Sequence, residues 1–381
     1  MATAAHGESV EITGVGIHPF GRFADKPVTD MGVDAVRAAL AEAGNPSFQA
    51  AFCSTAYGGV ASGHKVLGAL GLTGVPIVDV EAGCASGAAA LSLAAGAIEA
   101  GQYDTVLVFG VEKMPKGMIR SSFFDPWAEQ AGLAATPAYF ALRAQRVLRE
   151  SGATKETLAE VVVKNRAAGA HNPNAMFQKA VTVDEVLGSK LVCEPLHLFM
   201  LCSPNEGAAA VVLRRAGASG GVRLAATALR SHEWGNVLGE HTPMSGLVDD
   251  STVPTPTESA ARAAYEHAGI GPDDVDVAEV QDTDAARELL AYEELGLCRR
   301  GEAGAWFSAG HSRLGGSLPV NTSGGLLSKG EPLGASAIGH VVELIRQLRG
   351  EAGARQVEGA RVALAHNVGR GANASVSILV R

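Results

Sequence analysis

Two stretches far apart in the chain open in the same way. Gly83-Cys84-Ala85-Ser86-Gly87-Ala88 begins one alanine-rich run, and Gly330-Glu331-Pro332-Leu333-Gly334-Ala335 begins another that continues to about Ile345. A second pair echoes them. Val36-Arg37-Ala38-Ala39-Leu40-Ala41-Glu42-Ala43-Gly44 reads like Ala261-Arg262-Ala263-Ala264-Tyr265-Glu266-His267-Ala268-Gly269, and each predicts a helix ended by a C′ glycine. A strand is expected after each, near Ala51-Phe52-Cys53 and near Val277-Ala278-Glu279-Val280. Short alanine- and glycine-rich echoes also arise by chance. Taken as a repeat, they constrain the chain to two similar α/β halves whose helix starts meet across a pseudo-twofold axis, with Cys84 and Glu331 at equivalent points.

Length agrees with that organisation. A chain of 381 residues exceeds the usual single core and suggests two domains or a duplicated one. Gly217 to Gly221 makes a plausible linker, so the halves are placed at residues 1–216 and 222–381. Within the first half, Glu112 to about Pro204 reads as an insertion that covers a substrate pocket. It holds a helical stretch over residues 139–148 and polar turns around Asn172-Pro173-Asn174. Strands are expected over residues 208–213, 361–365 and 374–380.

Composition excludes several classes of function. Aromatic residues make up 5% of the chain, too few for base-stacking surfaces, and acids outnumber bases 40 to 31, so no nucleic-acid partner is expected. Cys53, Cys84, Cys193, Cys202 and Cys298 show neither CxxC nor zinc spacing, so no metal site is expected. They read as reduced cysteines of a cytoplasmic protein. Residues 1–8 lack a basic start and an apolar core, which predicts no signal peptide. No apolar run reaches membrane-spanning length.

The strand-like Val75-Pro76-Ile77-Val78-Asp79-Val80 leads directly into Glu81-Ala82-Gly83-Cys84. A thiol between a strand and a helix start meets the positive end of the helix dipole, which favours the thiolate. Gly83 and Gly87 let backbone and ligand come close. That is the layout of an activated nucleophile, although a cysteine among small residues is also a common core filler.

Together these segments resemble the thiolase superfamily, particularly its sterol-carrier/lipid-transfer type. The resemblance covers nearly the whole chain. It rests on Gly83-Cys84-Ala85-Ser86-Gly87, Asn205-Glu206-Gly207-Ala208-Ala209-Ala210, Val320-Asn321-Thr322-Ser323-Gly324-Gly325, Gly330-Glu331-Pro332-Leu333-Gly334 and His366-Asn367-Val368-Gly369. It implies a thiolase-like α/β fold of two βαβ-rich halves with buried helices between sheets. It also implies a CoA thioester as substrate with no bound cofactor, a homodimer, and Cys84 as the acyl-accepting nucleophile. Some members of the family work with a zinc-ribbon/OB-fold accessory subunit.

The rest of the family's catalytic set is altered. Its Gly-His-Pro motif is Gly330-Glu331-Pro332 here, and its His-Asp-Cys-Phe motif appears as Gln281-Asp282-Thr283-Asp284. Two histidines and an acid/base cysteine are therefore replaced. Thiolase chemistry needs a base for the Cys84 thiol, an acid/base at the substrate α-carbon, and donors to the enolate oxygen. An ionised carboxylate cannot donate, and beside Cys84 it raises the thiol pKa. Glu331 can serve only when protonated or as a base, roles that burial favours.

Cys84, Glu331 and His366 are thus the candidate catalytic residues, and Asn321, Gly369 and Asp282 the candidate substrate-binding ones. Each has a plainer reading. His366 can hold a loop, Glu331 can favour a first helical turn, Asn321 can shape a glycine-rich turn, and Asp282 can be a turn residue. Lys329 reads as a phosphate contact or as a solvated lysine. Three functions follow: a CoA-thioester acyltransferase acting through acyl-Cys84, an aldolase on the same fold in which a CoA enolate forms without an acyl-enzyme, and a non-catalytic scaffold.

Overall fold

The computed structural model describes residues 10–117, 127, 130, 135–217, 221–233, 252–369 and 373–381. The segment read for a signal peptide, and residues 218–220 of the expected linker, lie outside them. The first half runs β1 (Val10–Gly21), α1 (Val28–Glu42), β2 (Ala50–Ser54), α2 (Ser62–Ala69), β3 (Ile77–Val80), α3 (Ser86–Glu99) and β4 (Thr105–Lys113). The insertion follows with α4 (Thr136–Glu150), α5 (Lys155–Gly169), α6 (Val183–Leu187) and the short hairpin β5 (Leu191–Cys193) and β6 (Leu196–His197). The chain then returns as β7 (Glu206–Arg215). Because β4 pairs antiparallel with β7 and Lys113 faces Glu206, the insertion leaves and re-enters the sheet at neighbouring residues. It begins after Lys113 rather than at Glu112, which is still inside β4.

The second half holds β8 (Val222–Ser231), α7 (Pro256–Ala268), β9 (Val277–Glu279), α8 (Ala285–Glu294), α9 (Ala303–Ser308), α10 (Gly325–Lys329), α11 (Leu333–Arg349), β10 (Val362–Gly369) and β11 (Asn373–Val380). The sheet order is β3-β2-β4-β7-β1-β8-β11-β10-β9. An isolated parallel bridge sets Val320 on the free edge of β9. With Val320 in the place of a third strand, the two halves show the same strand order, reflected about the β1–β8 junction. The echoed helices α1 and α7 connect equivalent strands, and Gly269 ends α7 in the left-handed conformation its lack of a Cβ permits.

Three apolar layers hold this together. One packs α1 and α2 on the outer face of the first half; another packs α7, α8 and the insertion on the outer face of the second. Between them, α3 and α11 contact the inner faces of both halves. A helix buried on all sides needs small or apolar residues, or partners for its polar ones; α11 buries nearly every residue, with Glu343 paired to Arg355 and Gln347 donating to the Arg355 carbonyl. The helices meet closely because Gly87 has no side chain: a Cβ there would lie 3.1 Å from the Cβ of Ala337. Gly334 allows a similar approach, since a Cβ there would lie 2.6 Å from the carbonyl oxygen of Ser54. Among the described residues no helix is long and apolar enough to cross a membrane.

Candidate active site

Cys84 follows β3 through a tight turn. Gly83 takes φ +59, and the Ser86 hydroxyl folds the turn by donating to the Gly83 carbonyl at 2.5 Å while accepting from the Ala82 amide at 2.8 Å. The thiol is 8% exposed and sits among Met114, Leu333 and Ala56, two residues before α3 begins. Gly369, at the end of β10, lies against this turn. A Cβ at that position would come within 2.1 Å of the Ala82 carbonyl oxygen, so only glycine lets β10 end there.

Glu331 enters from the other half. Its amide donates to the Ser203 carbonyl at 2.9 Å, and a parallel bridge joins it to Pro204. The approach requires Gly330, whose φ is +82 and whose missing Cβ would lie 2.0 Å from Asn205 Nδ2. This pairing puts the Cys202 thiol on the Glu331 carboxyl: Sγ donates to Oε2 at 3.1 Å. Gln281 Nε2 donates to Oε1 at 2.7 Å, and Asn367 Nδ2 donates to Gln281 Oε1 at 3.0 Å. Asn367 also lies 3.2 Å from Nδ1 of His340 on α11.

Burial raises the Glu331 carboxyl above its ordinary value of 4.5. Hydrogen bonds from Cys84, Cys202 and Gln281, and the charge of Arg143, pull it partly back. Burial likewise pushes the Cys202 thiol well up, and the neighbouring Glu331, Cys84 and Asp282 add to the effect. The outcome is a cluster of two thiols and one carboxyl that interact directly, each able to hold or pass a proton.

The pairing of Glu331 with Cys84 matches the expectation from the two helix starts; the placement of His366 does not. Neighbouring residues of a strand point to opposite faces. Asn367 faces α11 and Gln281, so His366 faces away, toward α7 and α8. There its Nε2 lies 3.1 Å from Thr257 Oγ1 and 3.4 Å from an Arg287 nitrogen. Burial, then the Arg287 charge, holds it well below 6.5, as a neutral ring. The expectation that His366 shares a pocket with Glu331 is corrected: the histidine packs on the far side of the sheet.

Asp282 and Asn321 are both buried in a polar network. Asp282 accepts from the Leu326 and Leu327 amides at 2.6 and 3.2 Å, capping the start of α10, and from Asn165 Nδ2 at 2.8 Å. Asn321, at φ +58, closes the edge of β9 by accepting from the Val280 amide at 2.8 Å, and it donates to Glu288 at 2.8 Å. Lys329 is neither solvated nor open to a phosphate; it is buried and paired with Glu279 at 3.3 Å.

Cys202, Asn367 and His340 were not singled out from the sequence. Cys202 had a usable signal, since it stands three residues before the Asn205-Glu206-Gly207 motif. Beside Cys202 and Glu331 opens a cavity of about 830 Å³. Its other walls come mostly from the insertion, including Phe140, Arg166, Phe177, Phe199 and Leu201. Among the described residues, no group of three or more His, Cys, Asp and Glu side chains is arranged to hold a metal ion.

Comparison with known proteins identifies the family of the fold. Residues 10–217 match the family described as thiolase, N-terminal domain, and residues 239–381 match thiolase C-terminal domain-like. An acetyl-CoA acetyltransferase of Methanothermobacter thermautotrophicus is 37% identical, over 98% of this chain and 99% of its own. Sterol carrier protein 2 of Gallus gallus is 35% identical over 97% of this chain and 71% of its own. The benzoylsuccinyl-CoA thiolase subunit BbsB of Thauera aromatica is 34% identical over 96% of each. Among solved structures, the Ltp2-ChsH2(DUF35) aldolase superimposes with a TM-score of 0.85 over 98% of both chains at 24% identity, a likeness of fold.

Proposed function

The chain belongs to the thiolase family, and from that premise we propose that it makes or breaks a carbon–carbon bond in a CoA thioester through an acyl-Cys84 intermediate. The observation that carries this reading is the buried Glu331 carboxyl hydrogen-bonded to the thiols of both Cys84 and Cys202. Relatives named for acetyl-CoA and benzoylsuccinyl-CoA support a CoA thioester as the substrate.

The chain's residues suggest how the protons move. Cys84 Sγ attacks the acyl carbonyl carbon and passes its proton to Glu331, whose raised pKa brings the carboxyl closer to the thiol range. The carbon–sulfur bond to CoA then breaks, and the departing CoA thiolate takes the proton from Glu331. In the second half, the Glu331 carboxylate takes a proton from the α-carbon of an acceptor thioester, while the Cys202 thiol stays protonated and donates to it. The resulting carbanion attacks the acyl-Cys84 carbonyl. The new carbon–carbon bond forms as the bond to Cys84 breaks, and the Cys84 thiolate recovers a proton from the cluster. Gln281, held by Asn367, keeps Glu331 aimed at both thiols. His366 has no part in these steps.

The aldolase reading remains the alternative, because the altered acid/base set fits enolate formation without an acyl-enzyme. Cleavage assays on a β-ketoacyl-CoA, with and without added CoA, and on a β-hydroxyacyl-CoA separate the two. Acyl transfer requires CoA and is abolished in Cys84→Ala. Cleavage that persists in Cys84→Ala and yields an aldehyde or ketone from a β-hydroxyacyl-CoA supports the aldolase instead. A homodimer and a zinc-ribbon/OB-fold accessory subunit belong to the same proposal. Light scattering tests the first, and co-purification from the native host tests the second.

A further inference from the structure

Arg166 lies in the last turn of α5 and is 6% exposed, yet it lines the cavity of about 830 Å³. Its central carbon stands 3.8 Å from the centre of the Phe177 ring and 5.7 Å from that of Phe199. Nε is buried with no hydrogen-bond partner, and among the described residues no carboxylate pairs with the side chain. Other buried arginines of this chain are paired: Arg143 with Asp284, Arg287 with Glu294, Arg355 with Glu343. Burial alone lowers the Arg166 pKa from 12.5 to about 10, and the group stays charged at neutral pH.

A buried, unpaired cation is costly unless something compensates it. The two rings supply part of that compensation through cation–π attraction, and the carbonyl end of α5 supplies a little more. Neither satisfies the fork of N–H donors, which matches a carboxylate bidentately. Apart from the Glu331–Cys202 wall, the cavity is mostly apolar, with Phe140, Val181 and Val192 among its surfaces. Its other cation, Lys179, is 84% exposed and faces Glu185 at 3.8 Å, so it belongs to the rim.

We infer that Arg166 is a substrate subsite that binds a carboxylate at the far end of an apolar acyl chain, so that the preferred substrates are CoA thioesters of dicarboxylic acids. This rests on the CoA-thioester reading above and adds the class of acyl group. The CoA phosphates are the other source of such an anion. Their charge is the same for every acyl chain, which lets an experiment separate the two.

The test is equilibrium binding, by calorimetry, of succinyl-, glutaryl- and adipoyl-CoA against butyryl-, valeryl- and hexanoyl-CoA, to the wild-type protein and to Arg166→Met. Wild type should bind at least one dicarboxylic thioester about 10–100-fold more tightly than its matched monocarboxylic partner, the scale of a charge-assisted pair shielded from water. Arg166→Met should erase that preference and leave monocarboxylic binding unchanged. An equal loss for all thioesters and for free CoA would overturn the proposal and assign Arg166 to the CoA phosphates. Binding of both kinds without preference would overturn the carboxylate subsite alone. No binding of any CoA thioester would overturn the functional reading with it. Thermal denaturation guards against a structural explanation: Arg166→Met removes an unpaired buried charge and should melt at or above the wild-type temperature. A marked fall would show instead that Arg166 serves to hold Phe177 and Phe199.

Discussion

Glu331→Gln should lower turnover by about 10²–10⁴-fold, the usual scale for a lost acid/base. Glutamine keeps the length of the side chain and can still accept from Gln281 Nε2, which now donates at 2.7 Å. It cannot take a proton from Cys84 or Cys202, nor return one to the departing CoA. Thermal stability should change little, because the bond from Gln281 is kept and the new amide nitrogen can donate to the Cys202 sulfur in place of accepting from it. Steady-state kinetics with a melting curve on the same preparation checks both halves of this expectation. Wild-type turnover in Glu331→Gln would make the carboxyl structural and leave proton transfer to Cys202. Glu331→His should move activity toward ordinary thiolysis, limited by Gln281 and Thr283, which stand where the family has a histidine and a cysteine.

The second large effect is on stability. Glu288→Ala should destabilise the fold by about 3–5 kcal/mol, the cost of leaving one partner of a buried pair uncompensated. Glu288 accepts from Lys164 at 2.7 Å, Asn165 at 2.6 Å, Asn321 at 2.8 Å and Tyr292 at 2.5 Å, all buried. Its loss leaves the Lys164 ammonium, among the described residues, with the Val320 carbonyl 2.6 Å away and no carboxylate. Denaturant unfolding reads the change as a lower midpoint. Lys164→Met in the same chain should recover much of it, since an uncharged side chain of similar length needs no counter-ion. A single mutant as stable as wild type would show that the network contributes no net stability.

The duplicated architecture was legible because glycine punctuation and alanine-rich helix starts report local backbone demands. Gly83 takes a left-handed turn, Gly87, Gly330 and Gly334 mark close approaches, and together they point to Cys84 and Glu331 as neighbours. His366 misled for an equally local reason. His366-Asn367 is a strand dipeptide whose two side chains face opposite sides, and only the packing of α11 against one face decides which of them meets the site. Asp282 and Asn321 each hold a buried turn, and a polar side chain with that task has the same sequence signature as one that binds a ligand. Cys202 lies in an irregular segment with no period to read, so its signal is its place three residues before the Asn205-Glu206-Gly207 motif. Arg166 stands in Val161-Val162-Val163-Lys164-Asn165-Arg166, where nothing local separates a paired cation from an unpaired one facing a cavity.

Acylation of Cys84 adds a covalent group, and intact-protein mass spectrometry reads it directly. After brief incubation with an acyl-CoA and acid quench, the wild-type chain should gain the mass of one acyl group. Hydroxylamine should remove that mass, as expected for a thioester, and peptide mapping should place it on Cys84. Cys84→Ala should show no adduct, whereas Cys202→Ala should still acylate at Cys84. An unmodified wild-type chain that nevertheless turns over a CoA thioester, or an adduct that persists in Cys84→Ala, would contradict the acyl-Cys84 mechanism.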